Sequence, residues 1–165
     1  MLKPLKVLIV EDEALLAMEL ESLIEDAGHE VVGWATSSSE ARELIDTVDA
    51  DIAFVDIHLT DGPTGVDVAE YIVGKDNSMV VFMTANSKRI PENYAGAVGV
   101  IAKPYTMAGL NSALRYCRKA CGNHHRFQPV RPGSPCRPTI NRRGRLPTID
   151  EKPTLRGWAF RFGLI

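Results

Sequence analysis

Residues 5–13 have the sequence L-K-V-L-I-V-E-D-E, an apolar, β-branched run that passes directly into three acidic side chains. Continuous apolar runs of this kind are typical of strands that are covered on both faces of a sheet. Four similar runs follow, at residues 31–35, 52–55, 79–83 and 99–102. Segments with helical spacing of apolar residues separate the runs. The sequence therefore predicts an α/β fold with repeated strand–helix units on a parallel sheet.

The apolar spacing predicts four helices, over residues 16–27, 37–45, 66–73 and 106–117. Gly28 follows the first helix, where a C-terminal cap belongs. Ser37 and Glu40, three residues apart, form a capping box at the start of the second. The segment 87–97 contains Pro91 and predicts only a short or mobile helix. We number that segment helix 4, and the last predicted helix is then helix 5.

Polar residues stand where four of the strands end: Glu11 and Asp12 after the first, Asp56 after the third, Thr84 after the fourth and Lys103 after the fifth. The carboxyl ends of parallel strands lie on the same edge of the sheet. With the common strand order 2-1-3-4-5, strands one and three are neighbours at the switch point, where open α/β sheets bind ligands. We therefore expect the three carboxylates to meet there.

Three carboxylates so close together repel one another unless a cation or protons intervene. A cluster of oxygen ligands suits Mg²⁺, which takes a few protein oxygens and keeps several waters. Asp56 is the best placed nucleophile for forming an aspartyl phosphate. Lys103 would supply a second positive charge, and the Thr84 hydroxyl would donate a hydrogen bond to a phosphoryl oxygen.

Four short blocks carry a family resemblance: V-E-D-E at 10–13, F-V-D-I-H-L at 54–59, M-T-A at 83–85 and A-K-P-Y at 102–105. Together they resemble the signature blocks of bacterial response-regulator receiver domains, over residues 5–118. The resemblance implies a flavodoxin-like, doubly wound sheet of five parallel strands in the order 2-1-3-4-5. It also implies the residue roles, which are Glu11 and Asp12 as the acidic pair, Asp56 as phosphoacceptor, and Thr84 and Lys103 as switch residues.

The same resemblance implies two main-chain features, a carbonyl ligand to Mg²⁺ from His58 and a cis bond between Lys103 and Pro104. One position departs from the family pattern. Receivers usually carry an aromatic residue three positions before the Lys-Pro pair, and here that residue is Val100. Tyr94 is a candidate replacement in the relay from the threonine, and the choice between a replaced and a missing relay stays open. Tyr105 matches a residue that packs.

Other interpretations of the polar residues explain less of the pattern. Capping of a helix N-terminus accounts for the acidic residues 11–13 but not for the polar residues at the other strand ends. Phosphatases with a nucleophilic aspartate need a second aspartate two positions on, where this chain has His58. Cys117 and Cys121 with the histidines at 124 and 125 have a spacing that is unusual for zinc, so we expect packing for Cys117 and no metal site.

Charge divides the chain into two parts of different character. Residues 1–117 contain 8 Lys and Arg against 19 Asp and Glu, whereas residues 118–165 contain 11 against 2. Six prolines and no apolar periodicity mark the second part. We predict a receiver domain over residues 1–121 and a basic, Pro/Arg-rich, disordered tail over residues 122–165. Nucleic acid is not an expected partner, because apart from Phe127 the aromatic residues of the basic tail, Trp158, Phe160 and Phe162, lie only near its end. The alternative for this apolar end, which also includes Leu164, is docking on the acidic body.

The function predicted from these features is a stand-alone phosphoacceptor switch of a two-component phosphorelay, located in the cytoplasm and without a membrane span. Mg²⁺ would assist phosphoryl transfer from a sensor histidine kinase to Asp56, and the face of helix 4 and helix 5 would then bind a downstream protein. The alternative is a shuttle or sink that passes the group to a histidine phosphotransfer protein. We predict no enzymatic activity beyond the chain's own phosphorylation and dephosphorylation, in which His58 and Asn86 would flank the attacking water.

Overall fold

Five parallel strands form one sheet in the order β2-β1-β3-β4-β5, as the resemblance implies. The computed structural model describes residues 3–75, 78–85, 89–91 and 93–122. The strands are β1 (Lys6–Val10), β2 (Glu30–Ala35), β3 (Ile52–Asp56), β4 (Met79–Thr84) and β5 (Gly99–Ala102). The helices are α1 (Ala14–Asp26), α2 (Ser38–Thr47), α3 (Gly65–Gly74) and α4 (Met107–Gly122).

The central strands are apolar throughout because both of their faces are covered. Every residue of β3 and of β4 is buried. On one face the sheet packs against α2 and α3, with Val68 and Ile72 among the buried residues. On the other face it packs against α1 and α4, where Leu20, Leu110 and Cys117 are buried. The doubly wound arrangement and the packing role of Cys117 are thus confirmed.

Local signals set the ends of the helices as the sequence predicted. Gly28 follows α1 with a φ of +78°, a left-handed conformation that suits glycine. Ser37 caps α2, because its Oγ accepts a hydrogen bond from the Glu40 N–H at 3.3 Å. The Glu40 carboxylate in turn accepts hydrogen bonds from the N–H and hydroxyl of Thr36, both at 2.8 Å. In the usual capping box the glutamate accepts from the N–H of the capping residue, which here would be Ser37. In this chain Glu40 accepts instead from the N–H of Thr36, one residue earlier.

The segment predicted as helix 4 is short, in line with the expectation of a short or mobile helix. Among the described residues of this segment, Arg89 and Tyr94–Gly96 are in 3-10 conformation, and none is in an α-helix. Tyr94, Ala95 and Gly96 all have positive φ values, of 54°, 47° and 77°. The last helix, predicted as helix 5, is therefore α4. It extends to Gly122, and the tail beyond it lies outside the described residues.

None of the helices within the described residues combines the length and the apolar character that crossing a bilayer requires.

Candidate functional site

The strand order brings the predicted carboxylates together at the carboxyl edge of the sheet. Glu11 and Asp12 directly follow β1, and Asp56 is the last residue of the neighbouring strand β3. Val10 pairs with Val55, so the chain leaves both strands at the same level. One carboxylate oxygen from each of Glu11, Asp12 and Asp56 lies within 4.8 Å of the others. The expected convergence of the three side chains is confirmed.

Lys103 joins this cluster from β5, across the intervening strand β4. Its Nζ lies 2.6 Å from Glu11 Oε2 and 2.5 Å from Asp56 Oδ2. Its main-chain N–H donates to the Thr84 carbonyl at 3.0 Å. The bond between Lys103 and Pro104 is cis, as the resemblance implies. One ammonium group therefore contacts two of the three carboxylates.

Burial and charge act against each other in this cluster. Burial raises the pKa of the Glu11 carboxyl, and the Asp56 charge adds to the effect, while the Lys103 ammonium opposes it. Burial also acts to lower the pKa of Lys103. Its hydrogen bonds and ion pairs with Asp56 and Glu11 outweigh burial, and the net effect raises the pKa of Lys103 above its usual 10.5. The ammonium is therefore charged at neutral pH and compensates part of the negative charge around it.

A cleft opens above the cluster, lined by Asp12, Glu13, Asp56, His58, Thr84, Ala85 and Lys103. Asp56 is 8% exposed and Thr84 is 2% exposed, so both lie at its floor. The main-chain N–H of His58 donates to Asp56 Oδ1 at 3.3 Å, and the His58 residue itself is exposed. Asn86, the second residue predicted beside the path of water, lies outside the described residues.

Two residues that support the site were not predicted from the sequence. Gly65 begins α3 against the main chain of Asp56: a Cβ at Gly65 would lie 1.9 Å from the Asp56 carbonyl oxygen. Trp34 in β2 donates a hydrogen bond from its indole N–H to the Glu11 carbonyl at 2.7 Å. The sequence did contain a signal for Gly65, because it is a glycine at the start of a predicted helix. No sequence signal marks the second, because its acceptor is a main-chain carbonyl.

The residues near the expected aromatic relay occupy different environments. Val100 is 4% exposed and belongs to the core between the sheet and α2 and α3. Tyr94 is partly buried and packs against the same core. Tyr105 packs as predicted: its hydroxyl donates to the Leu16 carbonyl at 3.3 Å, and burial raises its pKa to about 12.

The donor set fits a hard divalent cation. All three candidate ligands are carboxylates, and Mg²⁺ binds oxygen in proteins. With the carboxylates ionised and Lys103 protonated, the four side chains carry a formal charge of −2, which a divalent ion would balance. The residues present therefore suit a magnesium site.

Comparison with known proteins identifies the fold as a common signalling module. A family model described as "Response regulator receiver domain" matches residues 7–115. The chain is 35% identical to the transcriptional regulatory protein PdtaR of Mycobacterium tuberculosis over 67% of this chain and 55% of that protein, so it spans about half of that relative. It is 33% identical to the chemotaxis protein CheY of Thermotoga maritima, over 69% of this chain and 98% of that protein.

Among solved structures, the receiver domain of the response regulator PhyR from Erythrobacter litoralis is similar, with a TM-score of 0.66 and 27% identity. The alignment covers 78% of this chain and 96% of the PhyR domain. The sheet order, the acidic cluster and the match over residues 7–115 agree with one another. The chain belongs to the response regulator receiver domain family of two-component signalling proteins.

Proposed function

We propose that this chain is a phosphoacceptor switch that takes a phosphoryl group from a sensor histidine kinase onto Asp56. The observation that carries the proposal is the position of the Asp56 carboxylate. It lies on the floor of an open cleft, next to two further carboxylates and in contact with one ammonium group. This arrangement provides both a nucleophile and positive charge where a phosphoryl group would enter.

Four residues would hold Mg²⁺ at this position: Glu11, Asp12 and Asp56 through carboxylate oxygens, and His58 through its main-chain carbonyl. Bound Mg²⁺ supplies positive charge that offsets the negative charge of the transferring phosphoryl group. Receiver domains bind Mg²⁺ at an acidic site of this kind. The formal charge of −2 on the cluster is the feature of this chain that supports the same ion here.

The transfer is a displacement at phosphorus. An oxygen of the Asp56 carboxylate attacks the phosphorus of a phosphohistidine, an O–P bond forms, and the P–N bond breaks with its electron pair remaining on the imidazole nitrogen. Lys103 is already charged and close enough to move from the Asp56 carboxylate to a phosphoryl oxygen. The Thr84 hydroxyl, at the end of β4, would donate a hydrogen bond to a second phosphoryl oxygen.

The output we propose is a change in protein binding at the face formed by the turn Tyr94–Gly96 and α4. Receiver domains interact with histidine kinases and with downstream effectors. We place this exchange in the cytoplasm, where such kinases present their phosphohistidines. If the chain instead passes the group quickly to a histidine phosphotransfer protein and gains no partner, it serves as a shuttle or sink.

The test is phosphorylation of the purified chain by a small phosphodonor such as phosphoramidate, with Mg²⁺ present. We expect one acid-labile phosphate per chain, and none in Asp56→Asn, because the amide is not a nucleophile. Asp51→Asn is a matched control: Asp51 lies at the opposite end of β3, and its loss should leave labelling unchanged. Labelling of Asp56→Asn at the wild-type level would refute the assignment.

Binding to candidate partners then separates the two outputs. A pull-down with and without a beryllofluoride mimic of the phosphoryl group should recover a partner only with the mimic if the chain is a switch. Rapid loss of label to a histidine phosphotransfer protein, with no partner recovered, would instead identify a shuttle.

A further inference from the structure

Two consecutive residues of the edge strand β2 hold the main chain of Glu11. The Trp34 indole N–H donates to the Glu11 carbonyl at 2.7 Å. The Glu11 N–H donates to the Ala35 carbonyl at 2.9 Å. Both polar groups of the Glu11 main chain are therefore fixed from the same side, one of them by a side chain that is itself 42% exposed.

The bond from Trp34 acts on the peptide unit that carries Asp12. A peptide unit is planar, so the Glu11 carbonyl, the Asp12 nitrogen and the Asp12 Cα turn together. A hydrogen bond that fixes this carbonyl also fixes the direction in which Asp12 leaves the main chain. The orientation of the Asp12 carboxylate therefore depends on a side chain of the neighbouring strand β2, 22 residues away in sequence.

Asp12 needs such support more than Glu11 does. The Glu11 carboxylate is held by Lys103 at one oxygen and by the Glu13 N–H, at 3.3 Å, at the other. Within the part of the chain that the structure describes, the Asp12 carboxylate makes no hydrogen bond or ion pair. The position of the Asp12 carboxylate is therefore set by the main-chain conformation at Asp12.

We propose that Trp34 is a positioning residue of the acidic site, whose indole N–H orients the Glu11–Asp12 peptide so that the Asp12 carboxylate faces the cleft. The inference rests on the proposed Mg²⁺ site. Because much of the Trp34 ring is exposed, its packing contributes little that phenylalanine could not supply. The N–H group is the part of the side chain that the site uses.

Trp34→Phe removes this donor and keeps an aromatic ring. We expect the full-length variant to bind Mg²⁺ about 2- to 10-fold more weakly than wild type in a calorimetric titration, which is the range for one net hydrogen bond. Trp158→Phe is the matched control, since it makes the same change at the second tryptophan of the chain, outside the described residues. Its Mg²⁺ affinity should equal that of wild type. Wild-type affinity in Trp34→Phe would overturn the inference.

Asp12→Ala separates this inference from the proposed site. Unchanged Mg²⁺ affinity in Asp12→Ala would refute the site itself. If Asp12→Ala weakens binding, adding Trp34→Phe should weaken it no further, because Trp34 acts through Asp12. An equal loss in both backgrounds would overturn the positioning role and leave the site intact.

A second measurement does not require a Trp34 variant to fold. In Trp158→Phe, Trp34 is the remaining tryptophan, and its emission reports on the indole alone. We expect that emission to change over the same Mg²⁺ concentrations that the calorimetric titration covers, because the indole is hydrogen-bonded to the Glu11–Asp12 peptide unit, which carries the proposed ligand Asp12. Constant emission across a saturating titration would contradict the inference.

Discussion

Gly65→Ala should damage both the stability and the chemistry of the site. A Cβ at this position would lie 1.9 Å from the Asp56 carbonyl oxygen and 2.7 Å from the Ile57 Cα. Both are main-chain atoms, so no side-chain rotation relieves the contact, and α3 or the end of β3 must move by about 1 Å. Overpacking of this kind costs about 1–3 kcal/mol, of which the helix propensity of alanine over glycine offsets up to about 1 kcal/mol.

The same displacement would move the phosphoacceptor. A shift of about 1 Å in a reacting group can slow a reaction by about 100-fold, so we expect phosphorylation of Gly65→Ala to be at least about 10-fold slower. Urea unfolding measures the first effect, and the initial rate of labelling from phosphoramidate measures the second. Each should be determined on the full-length chain.

Gly74→Ala is the control in the same helix. A Cβ at Gly74, the last residue of α3, would meet nothing within 4 Å. That variant should label at the wild-type rate and be as stable as wild type, or more stable by up to about 1 kcal/mol. If Gly65→Ala and Gly74→Ala behave alike in both assays, the close approach of α3 to Asp56 does not position the site.

Two further variants test the charges of the molecule. Lys103→Ala removes the ammonium that contacts Glu11 and Asp56, so we expect tighter Mg²⁺ binding together with slower labelling; weaker Mg²⁺ binding would contradict the charge balance proposed for the cluster. Burial, and secondarily the Arg118 charge, hold the pKa of His29 below its usual 6.5, and its Nδ1 accepts the Leu5 N–H at 3.0 Å. The contribution of His29 to the free energy of unfolding should therefore be fully present above pH 6.5 and be lost as the pH falls below it, and His29→Gln should reduce the difference between urea titrations at pH 7.5 and 5.5.

The sheet and most of the acidic site could be predicted because their signals are local. Each central strand is a continuous apolar run, and a polar residue marks the point where the run ends. The rule that parallel strands end on one edge then places Glu11, Asp12 and Asp56 together without knowledge of any distance. Lys103 was predicted by the same rule, although its contact with Glu11 as well as Asp56 depends on the reach of its side chain across β4.

The residues that were missed act through the main chain. Trp34 contacts a carbonyl oxygen, which every residue possesses, so nothing in the sequence distinguishes Glu11 as its partner. Gly65 is required by the distance between α3 and β3, a property of tertiary packing. The turn Tyr94–Gly96 also depends on tertiary packing. A Cβ at Gly96 would lie 2.8 Å from a Val73 methyl group, so the packing of α3 constrains this segment. The spacing of apolar residues in the sequence does not predict such contacts.

Position 100, where the receiver family usually carries the aromatic residue of a relay, is occupied here by a buried valine. A relay through position 100 requires a ring that exchanges a buried position for an exposed one. Val100 is 4% exposed, and its branched side chain fills a place in the core that offers no such exchange. Tyr94, in the turn with positive φ values, packs against the same core. Within the sheet β4 pairs with β5, and Thr84 pairs with Ala102. A relay through a rotating ring at position 100 is therefore not available to this chain, and Tyr94, which packs against the same core, remains the candidate replacement.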